Sequence, residues 1–135
     1  MSNITQVVNT DKNMTTLKKG VHASDLDQLL SSTGPYTLFA PTDLAFGKLE
    51  SNILEELLKK ENKVTLTALL NQHVVAGKIA FNELKDGQKL NTLDGREITV
   101  SVGEGQVKID GAAIQQHDMK ATNGVIHSLD TVLKN

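Results

Sequence analysis

Several residue types that carry chemistry are scarce or missing from this chain of 135 residues. It has no cysteine and no tryptophan, and one tyrosine with three phenylalanines gives an aromatic share of only 3%. The absence of thiols excludes cysteine nucleophiles, thiolate metal sites and disulfide frameworks. The shortage of aromatic rings argues against base-stacking surfaces and aromatic sugar-binding clefts.

The chain also has no large excess of one charge and no long apolar run. Fourteen basic and sixteen acidic side chains leave a formal net charge of -2, so nothing draws the whole chain to nucleic acid or anionic lipid. No apolar run approaches the ~20 residues of a membrane-spanning helix. We therefore expect no nucleic-acid partner and no membrane insertion. The first residues lack the basic region and apolar stretch of a signal peptide, so either the protein is made without one or this chain begins after it.

The remaining composition is that of an ordinary globular domain, with 39% hydrophobic and 22% charged residues. A chain of this length buries enough surface to fold without a metal or a disulfide. We expect a single domain over residues 1–135, monomeric and without a cofactor.

Apolar residues recur at helical spacing through the first half of the chain. The pattern predicts helices with apolar faces in residues 14–21, 26–30, 44–49, 53–58 and 66–74. Their predicted N-terminal caps are Ser24, Thr42 or Asp43, Asn52 with Glu55, and Thr65. The last helix is predicted to end at Gly77 and to carry His73 on its apolar face.

The second half alternates apolar and polar residues with a period of two, which is typical of half-buried strands. Turns at Asp94-Gly95, Gly103 to Gly105, Asp110-Gly111 and Asn123-Gly124 separate predicted strands in residues 89–93, 97–102, 107–109, 113–120 and 125–133. The short apolar segment 36–40 must join this later sheet, because a lone strand leaves its backbone unpaired. Helices followed by antiparallel strands predict the α+β class.

No local motif indicates catalysis. The segment from Gly103 to Lys108 lacks the third glycine of a dinucleotide loop and lies between two strands, as a hairpin turn does. None of the four histidines lies three or four residues from another, so no helix or local loop presents two imidazoles to a metal. We expect no hydrolase or transferase turnover and no bound transition metal.

Two histidines share a face with apolar neighbours, His73 on a predicted helix and His127 on a predicted strand. Such residues are typically buried and hydrogen-bonded. The expected partners of His73 are Thr42 or Asp43 and the backbone near Asn123, and its loss should cost roughly 1–3 kcal/mol plus a cavity term. The alternative is that His73, His127 and a carboxylate converge in a deep pocket, as in a small-ligand binding protein or an enzyme.

Three segments, taken together, resemble the fasciclin-like domain family. Residues 36–46 (YTLFAPTDLAF) and 123–133 (NGVIHSLDTVL) are similar to its first and second signatures, and residues 69–78 (LLNQHVVAGK) are similar to the intervening Tyr-His segment. The resemblance covers essentially the whole chain. Two departures are Gln72, where the family usually has tyrosine, and Ala76, where proline is common.

The resemblance implies a wedge-shaped β-sandwich of antiparallel-rich sheets, with several helices at one side and mostly in the N-terminal half. It implies a non-enzymatic adhesion module, extracellular or periplasmic and of the single-domain bacterial type. A further alternative is a cytosolic domain that keeps the fold for another partner, and a signal peptide in the native gene would separate the two. The partner would be a cell-surface or matrix protein or a polysaccharide. The candidate binding-surface residues carried over from the signatures are Thr42, Asp43, His73, Asn123, Gly124 and His127.

Overall fold

The computed structural model describes residues 2–48 and 51–133. The helices in this part of the chain are α1 (Ile4–Thr10), α2 (Thr15–Ala23), α3 (Leu26–Leu30), α4 (Asp43–Gly47), α5 (Ser51–Leu57) and α6 (Lys63–Asn71). The strands are β1 (Tyr36–Pro41), β2 (Val74–Ala76), β3 (Lys89–Asn91), β4 (Glu97–Gly103), β5 (Gln106–Ile109), β6 (Ala112–Ala113), β7 (Met119–Ala121) and β8 (Gly124–Leu129).

The strands form two four-stranded sheets, one in the order β2-β1-β8-β7 and the other in the order β3-β4-β5-β6. Strand β1 runs parallel to β8, from Tyr36 opposite Gly124 to Pro41 opposite Leu129. It pairs with β2 in the antiparallel sense. The early strand therefore joins the later ones, as its sequence requires.

The first sheet separates two apolar cores. Leu38 and Ile126 face the helices, where they join a cluster that contains Ile4 and Leu70. The neighbouring Phe39 belongs to the other cluster, between the two sheets, because successive side chains of a strand point to opposite faces. Strands β1 and β8 are thus covered on both sides, which explains their nearly unbroken burial.

The predicted α+β class is confirmed, with two sheets and with helices mostly in the N-terminal half. The predicted cap Thr42 is also confirmed, since its side-chain oxygen accepts a hydrogen bond from the Ala45 N–H at 3.3 Å. Leu44, by contrast, is 63% exposed and does not belong to a buried helix face. The predicted core position of Leu49 and the predicted capping box of Asn52 lie outside the described residues and side chains.

The prediction for the helix carrying His73 is wrong at both ends. Helix α6 begins at Lys63 rather than at Thr65, and it ends at Asn71, so His73 follows the helix. The next residues form β2, in which Val74 pairs with Leu38 of β1. A short apolar run fits a helix or a strand equally by period, and pairing with β1 decides the outcome here.

Other boundaries also differ from the predictions. Asp25, with a positive φ of 62°, occupies the N-cap position of α3, while the predicted cap Ser24 accepts only a long bond of 3.4 Å from the Leu26 N–H. The predicted strand 113–120 is divided between β6 and β7, and the predicted strand 125–133 ends at Leu129. Helix α1 lies outside every predicted element.

Candidate functional site

Asn123 joins three elements through its side chain and its main chain. Its Oδ1 accepts a hydrogen bond from the Ile4 N–H at the start of α1, at 3.0 Å. Its Nδ2 donates to the main-chain oxygens of Leu30 (2.7 Å) and Ser32 (2.8 Å), which lie at the end of α3 and just beyond it. The Asn123 main-chain oxygen accepts from the Tyr36 N–H at 2.9 Å, at the start of β1. Asn123 is therefore a connector inside the fold.

Gly124 and Gly34 are required by close approach of the backbone. A β-carbon on Gly124 would overlap the main-chain oxygen of Tyr36, and one on Gly34 would overlap the main-chain oxygen of Asn123. No other residue type fits either position without moving main-chain atoms.

Thr42 and Asp43 fix helix α4 to its surroundings. The Thr42 N–H donates to the Leu129 main-chain oxygen at 3.1 Å. Asp43 accepts from the hydroxyl of Thr15 at 2.7 Å and from the N–H of Thr16 at 2.8 Å, so it caps the start of α2. Burial by itself raises the pKa of Asp43, but the hydrogen bonds from Thr16 and Thr15 outweigh it and hold that pKa below its usual range.

His73 is fully buried, and both of its ring nitrogens bind main-chain groups. Nδ1 lies 2.8 Å from the Leu69 oxygen, and Nε2 accepts from the Leu133 N–H at 2.9 Å. The predicted partners Thr42, Asp43 and the backbone near Asn123 are therefore wrong, because His73 lies after the helix and its ring reaches Leu133 instead. Burial lowers the pKa of His73 to about 4.

His127 is also fully buried and has the opposite arrangement of ring protons. Its Nδ1 accepts from the Asp118 N–H at 3.1 Å, and its Nε2 lies 2.8 Å from the Ile79 oxygen. Its ring stacks on Phe39 with the ring centres 5.7 Å apart. Burial lowers the pKa of His127 as well. Each histidine is thus arranged as a neutral ring with one donor and one acceptor.

The two histidines lie near the same strand but do not form a reactive group. Phe39 lies between them. Its N–H donates to the His73 main-chain oxygen at 2.7 Å, and its ring stacks on the His127 ring. The carboxylate of Asp118 accepts from the Phe81 N–H at 2.9 Å and lies 3.2 Å from Nδ1 of the exposed His117. Among the described residues, no three histidine, aspartate or glutamate side chains lie close enough to hold a metal ion. The ring nitrogens of both buried histidines are thus occupied by main-chain groups.

Two surface pockets adjoin the signature residues. A pocket of about 450 Å³ lies over the Gly34–Asn123 junction, with Ser31, Thr33 and Lys78 on its walls. A smaller pocket of about 230 Å³ is lined by Asp43 and Leu44 together with Gln115 and Gln116. Sequence reasoning does not single out the two glutamines, because they lie in a segment whose pattern predicts a continuous strand.

The polar signature residues consequently face inward, and the exposed positions near them belong to other residues. Thr42, His73, Gly124 and His127 are buried, and Asn123 is half-buried with its amide bound to main-chain groups. No helix among the described residues is long and apolar enough to cross a membrane.

Comparison with known proteins agrees with the fold and the signatures. The family profile described as Fasciclin domain matches residues 12–135. Protein sll1483 of Synechocystis is 40% identical over 130 residues, which make up 96% of this chain and 72% of that protein. The Synechocystis protein sll1735 is 35% identical over 133 residues, 98% of each chain.

Animal proteins are similar over a smaller part of their own length. The transforming growth factor-beta-induced protein ig-h3 of Sus scrofa is 35% identical over 133 residues, 98% of this chain and 19% of its own. A solved FAS1 domain pair from the insect cell adhesion molecule fasciclin I superposes with a TM-score of 0.88 at 20% identity, covering 99% of this chain and 51% of that one. At that identity the likeness shows the fold. Profile, relatives and fold agree that this chain belongs to the fasciclin domain family.

Proposed function

We propose that this protein is a non-enzymatic adhesion module that acts outside the cytoplasm and binds a protein, a matrix component or a polysaccharide. Membership of the fasciclin family supports this proposal, and so does the structural likeness to a domain pair from an insect cell adhesion molecule. Adhesion needs an exposed rigid surface and no reactive group, and both conditions agree with the described part of the chain.

The polar groups of the signature residues support this proposal. The signature residues use their polar groups to join elements to one another, as Asn123 does for α1, α3 and β1. Residues bonded in this way hold the surface around them in one shape for a partner, and their own polar groups are not free to act as a catalytic acid or base. The alternative site made of His73, His127 and a carboxylate lacks this support, because the ring nitrogens of both histidines bind main-chain groups.

Binding by one copy should be weak. A single small domain offers limited contact area, whereas many copies on a surface multiply the effective affinity. We therefore expect the monomer in solution to bind poorly and the same protein to bind well at high surface density.

Beads coated densely with the protein test this proposal. We expect them to retain host cells or their matrix, and deletion of the gene to reduce attachment of those cells. Beads carrying Gly103→Ala, a site with open space around it, should behave like wild type, whereas Gly124→Ala beads should retain fewer cells because that variant is severely destabilised. Retention no greater than on bare beads, together with unchanged attachment of the deletion strain, would exclude adhesion.

A second measurement addresses catalysis. The purified protein should show no turnover with panels of ester, phosphoester, peptide and glycoside substrates. Reproducible turnover that disappears in His73→Ala, while that variant remains folded, would contradict the proposed absence of activity.

A further inference from the structure

The smaller surface pocket, named here the amide pocket, has unused hydrogen-bonding groups on its walls. Its volume is about 230 Å³, and its walls include Asn13, Asp43, Leu44, Gln115 and Gln116. Among the described residues, none binds the side-chain amides of Asn13, Gln115 or Gln116. Each amide offers a carbonyl acceptor and two N–H donors. Three neutral amides around one small pocket form a surface with many donors and acceptors.

The backbone that carries the two glutamines is held firmly against β8. The Gln115 N–H donates to the Ser128 main-chain oxygen at 2.8 Å, and the Gln116 N–H donates to the Ser128 hydroxyl at 2.8 Å. The Ser128 N–H in turn donates to the Gln116 oxygen at 2.7 Å. A site whose backbone is already fixed loses less conformational entropy when a ligand binds.

Asp43 decides which charge the pocket accepts. Its two carboxylate oxygens already accept hydrogen bonds from Thr15 and Thr16, the first residues of α2, where the positive end of the helix dipole offsets its charge. The carboxylate is therefore not available as a strong counter-ion for a cationic ligand. It still disfavours an anionic one, so the pocket suits a neutral, polar ligand.

Leu44 adds an apolar surface at this polar site. It follows the capping residues Thr42 and Asp43, lines the same pocket and is 63% exposed. A sugar ring has a hydroxylated rim that amides bind and an apolar face of C–H groups that a leucine side chain contacts. The pocket is smaller than the ~300–1,000 Å³ typical of sites for drug-sized ligands, which limits the occupant to a small unit.

We propose that the amide pocket is a binding site for one unit of a neutral saccharide, with Gln115 and Gln116 as its main hydrogen-bonding residues. This rests on the proposed adhesive function and makes its polysaccharide partner more specific. The apolar contact comes from Leu44 and not from an aromatic ring, so we expect the affinity for a single sugar to be in the millimolar range. Useful binding would then come from repeated units on a polymer and repeated copies of the domain.

Nuclear magnetic resonance of the nitrogen-15-labelled protein tests the pocket directly. The probes are glucose, galactose, mannose and N-acetylglucosamine, with glucuronate and glucosamine as charged counterparts. We expect at least one neutral sugar to shift the side-chain amide resonances of Gln115 and Gln116. Loss of about two hydrogen bonds in the double variant Gln115→Ala/Gln116→Ala should weaken binding about tenfold or more.

The control is Gln106→Ala, which removes an exposed glutamine from β5 in the other sheet. This variant should bind sugar like wild type, and thermal melts should show that all three proteins are folded. The saccharide proposal is overturned if no neutral sugar shifts these resonances, if a charged counterpart binds better, or if the double variant binds unchanged.

The bead experiment separates this proposal from the adhesive function on which it rests. Beads that retain cells equally well with wild type and with the double variant would leave adhesion standing and overturn the pocket's part in it. Sugar binding by a protein whose beads retain nothing would support the pocket and count against adhesion.

Discussion

The main-chain oxygen of Tyr36 occupies the space that a β-carbon on Gly124 would need, so these two residues set how closely β1 and β8 approach each other. They are the first pair of the parallel ladder that holds the centre of the first sheet together. The contact joins the first signature segment to the second through main-chain atoms, which cannot rotate away from an added β-carbon as a side chain can.

Gly124→Ala should therefore destabilise the protein severely. Overpacking typically costs about 1–3 kcal/mol, and a clash with main-chain atoms between two buried strands belongs at or above the top of that range. Denaturant unfolding measures the loss. Gly103→Ala is the matched control, because nothing lies within 4 Å of the added carbon, and its effect should stay within about 0.5 kcal/mol. Equal stabilities of the two variants would contradict the close approach of Tyr36 to Gly124.

Asn123→Ala should lower the free energy of unfolding by about 2–4 kcal/mol. The substitution removes the bonds to the Ile4 N–H and to the oxygens of Leu30 and Ser32, each worth about 1 kcal/mol net. Hydrogen exchange should show α1 opening more often than in wild type. Asn91→Ala, at an exposed position of β3, is the control and should change little. A stable Asn123→Ala protein with α1 protected would show that the connector is dispensable.

Stability should fall as the pH drops from 6.5 toward 4. Burial holds the pKa of His73 at about 4 in the folded state against 6.5 when exposed, so the unfolded chain takes up the proton first. The stabilisation is complete above pH 6.5 and is lost progressively below it, by on the order of 3 kcal/mol at the lower end. His127, whose pKa is also lowered, acts in the same direction.

Denaturant unfolding across this pH range measures that loss, and the His73 ring resonances should not titrate until near its lower end. The lowered pKa values of Asp43 and Asp118 add a further loss of stability as the pH approaches and falls below their usual value of 3.8, so they act at the lower end of the histidine window. A His73 ring that titrates near 6.5, or a flat stability profile, would show that the ring is not buried as described.

Gln72→Met should stabilise the protein by about 1 kcal/mol. Gln72 is only 3% exposed, and its side-chain nitrogen has no hydrogen-bond partner among the described residues. A buried donor without a partner costs about 1–3 kcal/mol, which an unbranched apolar side chain of similar length avoids. The shift in denaturant midpoint measures the gain, with Gln106→Met as an exposed control. A destabilised Gln72→Met would indicate that the amide nitrogen is satisfied by water.

The strands and turns of the second half of the chain could be predicted, because each turn depends on residues that are adjacent in the sequence. Glu104-Gly105 and Asp110-Gly111 adopt the positive φ angles that such turns need. The alternating residues before the first turn form β4, and those between the two turns form β5. Thr42 could be predicted as a cap for the same reason, since its hydroxyl binds an N–H three residues away.

The features that could not be predicted depend on contacts between segments far apart in the sequence. The run around His73 satisfies a helical period, and only the presence of β1 beside Val74 makes it a strand. Helix α1 does carry a local signal: Asn3 and Gln6 bind each other's N–H groups at 2.9 Å, as a capping box does. The amide pocket has no local signal, because Asp43 and Gln115 meet only after β8 is in place.

Parallel pairing of β1 with β8 also imposes an order of events on synthesis. Strand β1 leaves the ribosome well before its parallel neighbour, because residues 42–123 are made between them, so Leu38 and Phe39 lack their central partner while that stretch is translated. Contacts between such distant residues slow folding, because a long loop must close before they are gained. Until β8 is made, β1 can pair only with β2 along one edge, and an apolar strand with an open edge favours aggregation.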